Sequence, residues 1–304
     1  MSKGMLLLLT LGCSLAALQA HASSKDPETL VIGKISHNPK KHYQYLKPMV
    51  KYAVERMQDL GIRKGKIMMA RSKEQLADMV RRGEVDWVTE TPIAAAYLHE
   101  KSGAEILLRK WKKGVPEYHS VFFSLKQSNI NKLEDLRGRV IALEDPASTS
   151  AFYLPVNAML EKGLRLIKLR SIREKPPADR VGFVFAREEI NIATLVDKGL
   201  ADAGAFSNLD WGKEDHLPSK YRNNISIFKR TPPIIRAVEM VRQDIDPAIR
   251  ERLEKILLYA GNDPHAVSVL HAYQQTKKFD KLSRDQIDSI YNLRHIMDVV
   301  DQVL

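Results

Sequence analysis

From Leu30 onward short apolar runs alternate with amphipathic stretches, the pattern of βαβ units built around a largely parallel sheet. The spacing predicts strands over 30–35, 66–70 and 85–89, separated by helices over 45–60 and 72–82. Ser72 followed by Gln75 resembles a capping box, and Gly83 is placed to end that second helix. A helix over 91–102, a strand over 104–108, a lysine-rich loop over 110–116 and an alternating strand over 118–125 come next. A fresh series begins at Gly138, with a strand from Val140, a helix after Ser148, a strand over 181–186, a helix over 188–198 and a strand over 203–207. Pro155 is expected to kink the helix after Ser148 or to end its first turns. Residues 225–229 read as the last strand, Thr231-Pro232-Pro233 breaks the pattern, and helices over 247–260, 264–273 and 285–303 close the chain.

The start of the chain reads differently. Residues 1–22 carry Lys3, an apolar run from Met5 to Leu11 that continues weakly to Leu18, and then Ala20-His21-Ala22, the small-x-small pattern at which signal peptidase cuts. A membrane anchor needs about 20 apolar residues, and this run is shorter and gives way to Ser23-Ser24-Lys25-Asp26. Residues 1–22 are therefore expected to be a signal peptide and the mature protein to be soluble in the periplasm. The sole cysteine, Cys13, lies inside the segment, so cleavage after Ala22 leaves no thiol for a disulfide or a metal. Lipid attachment at Cys13 is the alternative, against a poor Thr10 and a short preceding run.

The remaining chain, about 280 residues, is long enough for two lobes with a core each. The formal charge is +11, and +10 without Lys3, which favours anionic ligands. Lys and Arg are scattered, no recognition motif is visible and the chain is exported, so nucleic acid is excluded as a partner.

At Asp145-Pro146-Ala147-Ser148-Thr149-Ser150 the sequence resembles the phosphate/phosphite/phosphonate-binding family of ABC-transporter periplasmic proteins, which carries Asp-Pro-x-Ser-Thr-Ser at this point. Gly83-Glu84-Val85-Asp86, Tyr118-His119-Ser120-Val121, the stretch from Lys198 to Ala205 and Thr231-Pro232-Pro233-Ile234 are similar to further family segments, in the same order. The resemblance implies an α/β, two-lobed periplasmic binding protein fold of type II with a hinge of two crossover strands, here expected near Leu125 and Arg230. Residues 23–124 and 231–304 then form lobe 1, and 125–230 form lobe 2.

The candidate ligand-binding residues follow from these segments. Ser148, Thr149 and Ser150 stand where a helix begins, so unpaired backbone N–H groups and three hydroxyls converge on an oxyanion; the plain alternative is an N-cap. The resemblance makes the phenol of Tyr118 a ligand donor, whereas His119 is expected to face the other side of its strand. Ser36 and Tyr43 lie in the loop after the first strand, where open α/β sheets bind ligands. His37 and His42 lack a third metal ligand and read as surface imidazoles. Glu90 and Thr91 follow the third strand. Glu90 departs from the family pattern, and beside an oxyanion it either meets a ligand cation or serves as a carboxylate at a helix start. Asp210 resembles a position that in some members faces a ligand amine, and Glu188 and Glu189 lie near a second; an aminoalkylphosphonate, whose ammonium Glu90 and Asp210 could pair, is expected to bind more tightly than inorganic phosphate.

No Gly-x-Ser-x-Gly, P-loop, His-Glu-x-x-His or mature cysteine is present, so the hydrolase and phosphoryl-transfer templates fail and no enzyme, cofactor or metal is expected. The expected partner is an ABC permease, or alternatively a membrane sensor kinase or chemoreceptor, with the protein itself monomeric.

Overall fold

A computed structural model describes residues 26–303; the predicted signal peptide and Cys13 lie outside them. In chain order the strands are β1 (Thr29–Ile35), β2 (Lys64–Ala70), β3 (Trp87–Glu90), β4 (Glu105–Lys110), β5 (Glu117–Tyr118), β6 (Ser120–Leu125) and β7 (Val140–Leu143). They continue with β8 (Arg165–Lys168), β9 (Arg180–Phe185), β10 (Ala203–Ser207), β11 (Ile225–Arg230), β12 (Ile234–Ile235), β13 (Val238–Val241) and β14 (Phe279–Asp280). They form two six-stranded sheets, ordered β14-β4-β13-β3-β1-β2 and β11-β6-β10-β7-β9-β8, with β5 and β12 paired between them.

Each sheet is covered on both faces, as a parallel sheet must be. Leu30 and Ile32 of β1 enter one core and Val31 enters another on the opposite face. In the second sheet Ile141 and Leu143 turn one way and Val140 and Ala142 the other. Among the described residues no helix is long and apolar enough to cross a membrane.

Local signals set most helix boundaries. Ser72 Oγ accepts from the Gln75 N–H at 3.3 Å, the Gln75 side chain accepts from the Arg71 N–H, and Gly83 takes φ +69° at the end of the helix Lys73–Arg81. Asp246 caps the helix Pro247–Ala260 through the N–H groups of Ala248 and Ile249.

Several expectations need correction. The first helix spans Pro39–Val54 and not 45–60, because Asn38 accepts from the Lys41 N–H and Pro39 takes the first turn. The strand expected over 118–125 is split at His119, whose N–H donates to the Asn208 side chain. β6 lies wholly in the second sheet and β5 pairs with β12, so the chain leaves the first sheet between Lys110 and Ser120 and not near Leu125. The return falls between Arg230 and Val238. Residues 225–229 are not the last strand: β13 enters the middle of the first sheet, antiparallel to β3 and β4. The helix expected over 285–303 breaks into Arg284–Tyr291 and Arg294–Val300. Ile290 joins the core of the first lobe, while Ile296, Met297 and Val300 pack with Phe152 and Val156 of the second. The end of the chain therefore straps the lobes together.

Candidate functional site

The lobes face each other across a cleft of about 900 Å³, lined from the carboxyl ends of β1 and β3, the two crossing segments and the start of the helical run after Ser148. That position is the one open α/β sheets use for ligands.

The Ser-Thr-Ser segment opens a π-helical turn, Thr149–Tyr153, which passes into the α-helix Leu154–Leu160. Pro155 falls in the first turn of that α-helix, where its missing N–H costs little, and the chain before it is the π turn. All three hydroxyl residues line the cleft. Ser148 Oγ accepts from the Ala151 N–H at 3.1 Å, so this hydroxyl does serve as an N-cap. Thr149 differs: it is 2% exposed and its Oγ1 has no hydrogen bond of good geometry, although the Tyr118 hydroxyl lies beside it. The N–H groups of Thr149 and Ser150, at the start of the helical run, have no upstream helical partner. Tyr118 is buried, and burial pushes its phenol above the ordinary value, which keeps it a proton donor.

Ser36 also lines the cleft, but its hydroxyl shares a 2.7 Å hydrogen bond with His42 Nδ1 and accepts from the Asn38 N–H. Tyr43 does not line it. With the helix starting at Pro39, residues 38, 41, 42 and 45 share the inward face, and Tyr43 is left 47% exposed. His37 and His42 both border the cleft. His42 is held down to about 3, first by burial and then by Lys34 and Lys112, so it is neutral.

Glu90 is 5% exposed and fully engaged. Oε1 accepts from the Ile35 N–H at 2.7 Å and Lys34 Nζ at 3.3 Å, and Oε2 from the Thr91 N–H at 3.2 Å. Asp210 accepts from Ser207 Oγ and from Lys213 Nζ at 2.7 Å, with His216 Nδ1 at 3.0 Å. Burial works to raise the Asp210 carboxyl, but the close contact of His216 and hydrogen bonds from Lys213 and Ser207 outweigh it and hold the group well below the carboxylate range. The protein's own cations thus fill both places reserved in the sequence for a ligand amine, which removes the basis for expecting an aminoalkylphosphonate. Thr91 and Glu189 line the cleft, and Glu189 lies 3.7 Å from His216. Glu189, Asp210 and His216 hold potential metal-ligand atoms within 4.8 Å of one another, but Lys213 already supplies a cation there.

Sequence reasoning missed most of the charge in the cleft. Lys34 comes from the first lobe, Lys112, Lys113 and Arg236 from the crossing segments, and Arg187 and Lys213 from the second lobe. The Lys112-Lys113 pair was visible as a basic loop before Tyr118, and Arg236 stands just past the Thr-Pro-Pro break; neither signal says which way a side chain points. Glu144, also missed, is pushed up to about 8 by burial and then by Glu189 and Asp145, so at neutral pH it presents a proton to the cleft instead of a charge. Of the five non-glycine residues with positive φ among the described residues, four (Lys113, Arg187, Gln274 and Gln275) line the cleft, so backbone strain is concentrated at its wall.

Residues 37–287 match the family described as ABC transporter, phosphonate, periplasmic substrate-binding protein. Among solved structures, XAC2383 from Xanthomonas citri, bound to chloride ion, is 38% identical with a TM-score of 0.87 over 91% of this chain and 100% of its own. The same protein bound to ATP gives 37% identity and a TM-score of 0.85 over 91% of this chain and 99% of its own. PhnD1 from Prochlorococcus marinus, in complex with methylphosphonate, shares the fold at 18% identity, with a TM-score of 0.67 over 91% of this chain and 100% of its own. With its two α/β lobes, paired crossings and Ser-Thr-Ser turn facing the cleft, this type II binding fold belongs to the phosphonate ABC transporter periplasmic substrate-binding family.

Proposed function

We propose that the protein captures a phosphate, phosphite or phosphonate-type oxyanion in the cleft and delivers it unaltered to an ABC permease. The observation that carries this reading is the Thr149 hydroxyl, buried at the opening of a helical run that faces the cleft and left without a well-formed partner. Buried polar groups are ordinarily satisfied, and an oxyanion seated on the first N–H groups of the run would complete this one. Protonated Tyr118 adds a donor beside it, and the guanidinium of Arg236 lies 4.2 Å from the centre of its ring. The volume of about 900 Å³ leaves room for an organic substituent next to the oxyanion, in keeping with the ATP bound by the Xanthomonas citri relative.

Isothermal titration with phosphate, phosphite, methylphosphonate and ATP tests the reading. A hydrogen bond to a charged group contributes about 1.5–3 kcal/mol, so Ser148→Ala combined with Thr149→Val is expected to weaken the preferred ligand at least tenfold. Unchanged affinity with lowered thermal stability would reduce the segment to a helix cap.

A further inference from the structure

Three cations are buried among the described residues: Lys34, Lys110 and Arg236. The first two have counter-charges, Lys34 with Glu90 at 3.3 Å and Lys110 with Glu239 at 3.7 Å. Arg236 has none. It is 8% exposed, its Nε lacks a hydrogen-bond partner, and no carboxylate among the described residues lies within ion-pair distance of its guanidinium. An uncompensated buried charge is strongly unfavourable, and folded proteins retain one where something outside the chain completes it.

Its surroundings say what that is. Arg236 stands in the second crossing segment, directly after β12, and its backbone N–H donates to the Pro116 carbonyl of the first crossing at 2.8 Å. Both segments of the hinge thus hold it at the cleft wall. The guanidinium lies 4.2 Å from the centre of the Tyr118 ring, and the Tyr118 hydroxyl neighbours Thr149 and Ser150. Lys112 lies close enough that, after burial, Arg236 is the strongest influence holding its ammonium below the ordinary lysine range, and Lys34, Lys110 and Lys113 push the same way. An anion brought to Thr149 therefore enters a field set by cations that repel one another. The planar fork of a guanidinium matches two oxygens of a tetrahedral phosphonyl or phosphoryl group.

We propose that Arg236 is the fixed-charge contact for the bound oxyanion and makes the cleft select a dianionic phosphonyl or phosphoryl group over a monoanion of the same shape. This rests on the oxyanion reading above and goes further: hydroxyls and N–H groups recognise any tetrahedral oxyanion, whereas Arg236 counts its charge.

Methylphosphonate and methanesulfonate form the test pair, nearly identical in shape and one charge apart at a pH alkaline enough to ionise methylphosphonate fully. Calorimetry on the wild type is expected to favour methylphosphonate at least tenfold. Arg236→Met is expected to weaken methylphosphonate by at least about tenfold while changing methanesulfonate far less, so that the preference collapses. The melting temperature of the ligand-free variant should hold or rise, since an unpaired charge has gone. Equal losses for both anions, no loss for either, or a fall in ligand-free stability as the sole effect would overturn the assignment and leave Arg236 a structural neighbour of Tyr118. If Arg236→Met does not fold, Arg236→Lys must still prefer methylphosphonate, and a folded lysine variant without that preference sinks the proposal. A loss confined to the Ser148/Thr149 variant would defeat the role of Arg236 alone, whereas a wild type that binds neither anion would defeat the oxyanion reading with it.

Discussion

Glu90→Gln separates the structural part of that carboxylate from any part in recognition. The carboxylate receives three donors, the Ile35 N–H and Lys34 Nζ on one oxygen and the Thr91 N–H on the other, and so ties the end of β1 to the turn after β3. A glutamine has one oxygen to accept with. If that oxygen keeps Ile35 and Lys34, its NH₂ faces the Thr91 N–H, donor against donor. One unsatisfied buried group costs about 1–3 kcal/mol, and leaving Lys34 without a counter-charge adds to it, although Lys34 Nζ retains the Thr89 carbonyl at 3.4 Å. Taking about 3 kcal/mol in all, and about 2–4 °C per kcal/mol for a protein of this size, the ligand-free variant should melt roughly 6–12 °C lower. Its affinity for methylphosphonate should move the other way, because a negative charge leaves the cleft and Lys34 is released toward the anion. Thermal melts followed by circular dichroism, with calorimetry on the folded variant, read both effects. A melting temperature within about 2 °C of the wild type, or an affinity that falls along with stability, would refute the account of Glu90 as the internal counter-charge of Lys34.

The Asp210–His216 contact makes stability depend on pH. Asp210 is depressed in the folded state, so its contribution is present above the unfolded carboxylate value near 3.9 and is lost as pH falls; His216 is raised, first by its close contact with Asp210, so its contribution is present below about 6.5 and is lost as pH rises. Asp210→Asn should therefore destabilise most between about pH 4 and 6.5 in denaturant unfolding, and should return the NMR titration of His216 toward about 6.5; an unmoved His216 titration refutes the coupling. Lys110→Met alone strands Glu239 among Trp87, Thr89 and Tyr273 and should cost about 3–5 kcal/mol, whereas adding Glu239→Gln should recover much of it; equal losses in urea unfolding would mean the pair is not coupled. Asp301 accepts from Tyr153 of the second lobe and Lys73 of the first, both at 2.8 Å, so Asp301→Ala should widen the solution-scattering profile of the ligand-free protein, and an unchanged profile would deny the C-terminal strap a part in holding the lobes.

Local order in the sequence was enough for the parts of the fold that local forces decide. The alternation of apolar runs, the cap at Ser72, the helix start at Pro247 and the turn at Gly83 depend on residues within a few positions of one another, and the helices they bound lie within a residue of their predicted ends. The Ser148-Thr149-Ser150 segment was legible for the same reason, since its hydroxyls and free N–H groups belong to one stretch of backbone. β13 was not: its four residues include a glutamate, and only the complete burial of Glu239 among Lys110, Trp87, Thr89 and Tyr273 makes that a strand in mid-sheet. The crossing was misplaced because β6 continues the apolar pattern without pause, and the change of sheet is settled by hydrogen bonds to β10 and β11, distant in sequence. The charges of the cleft lie furthest from what a sequence can say. Lys34 finds Glu90 across 56 positions while Arg236 finds no carboxylate, and whether a cation is neutralised inside the chain or left for a ligand depends on which distant segments the folded topology brings within a few ångströms of it.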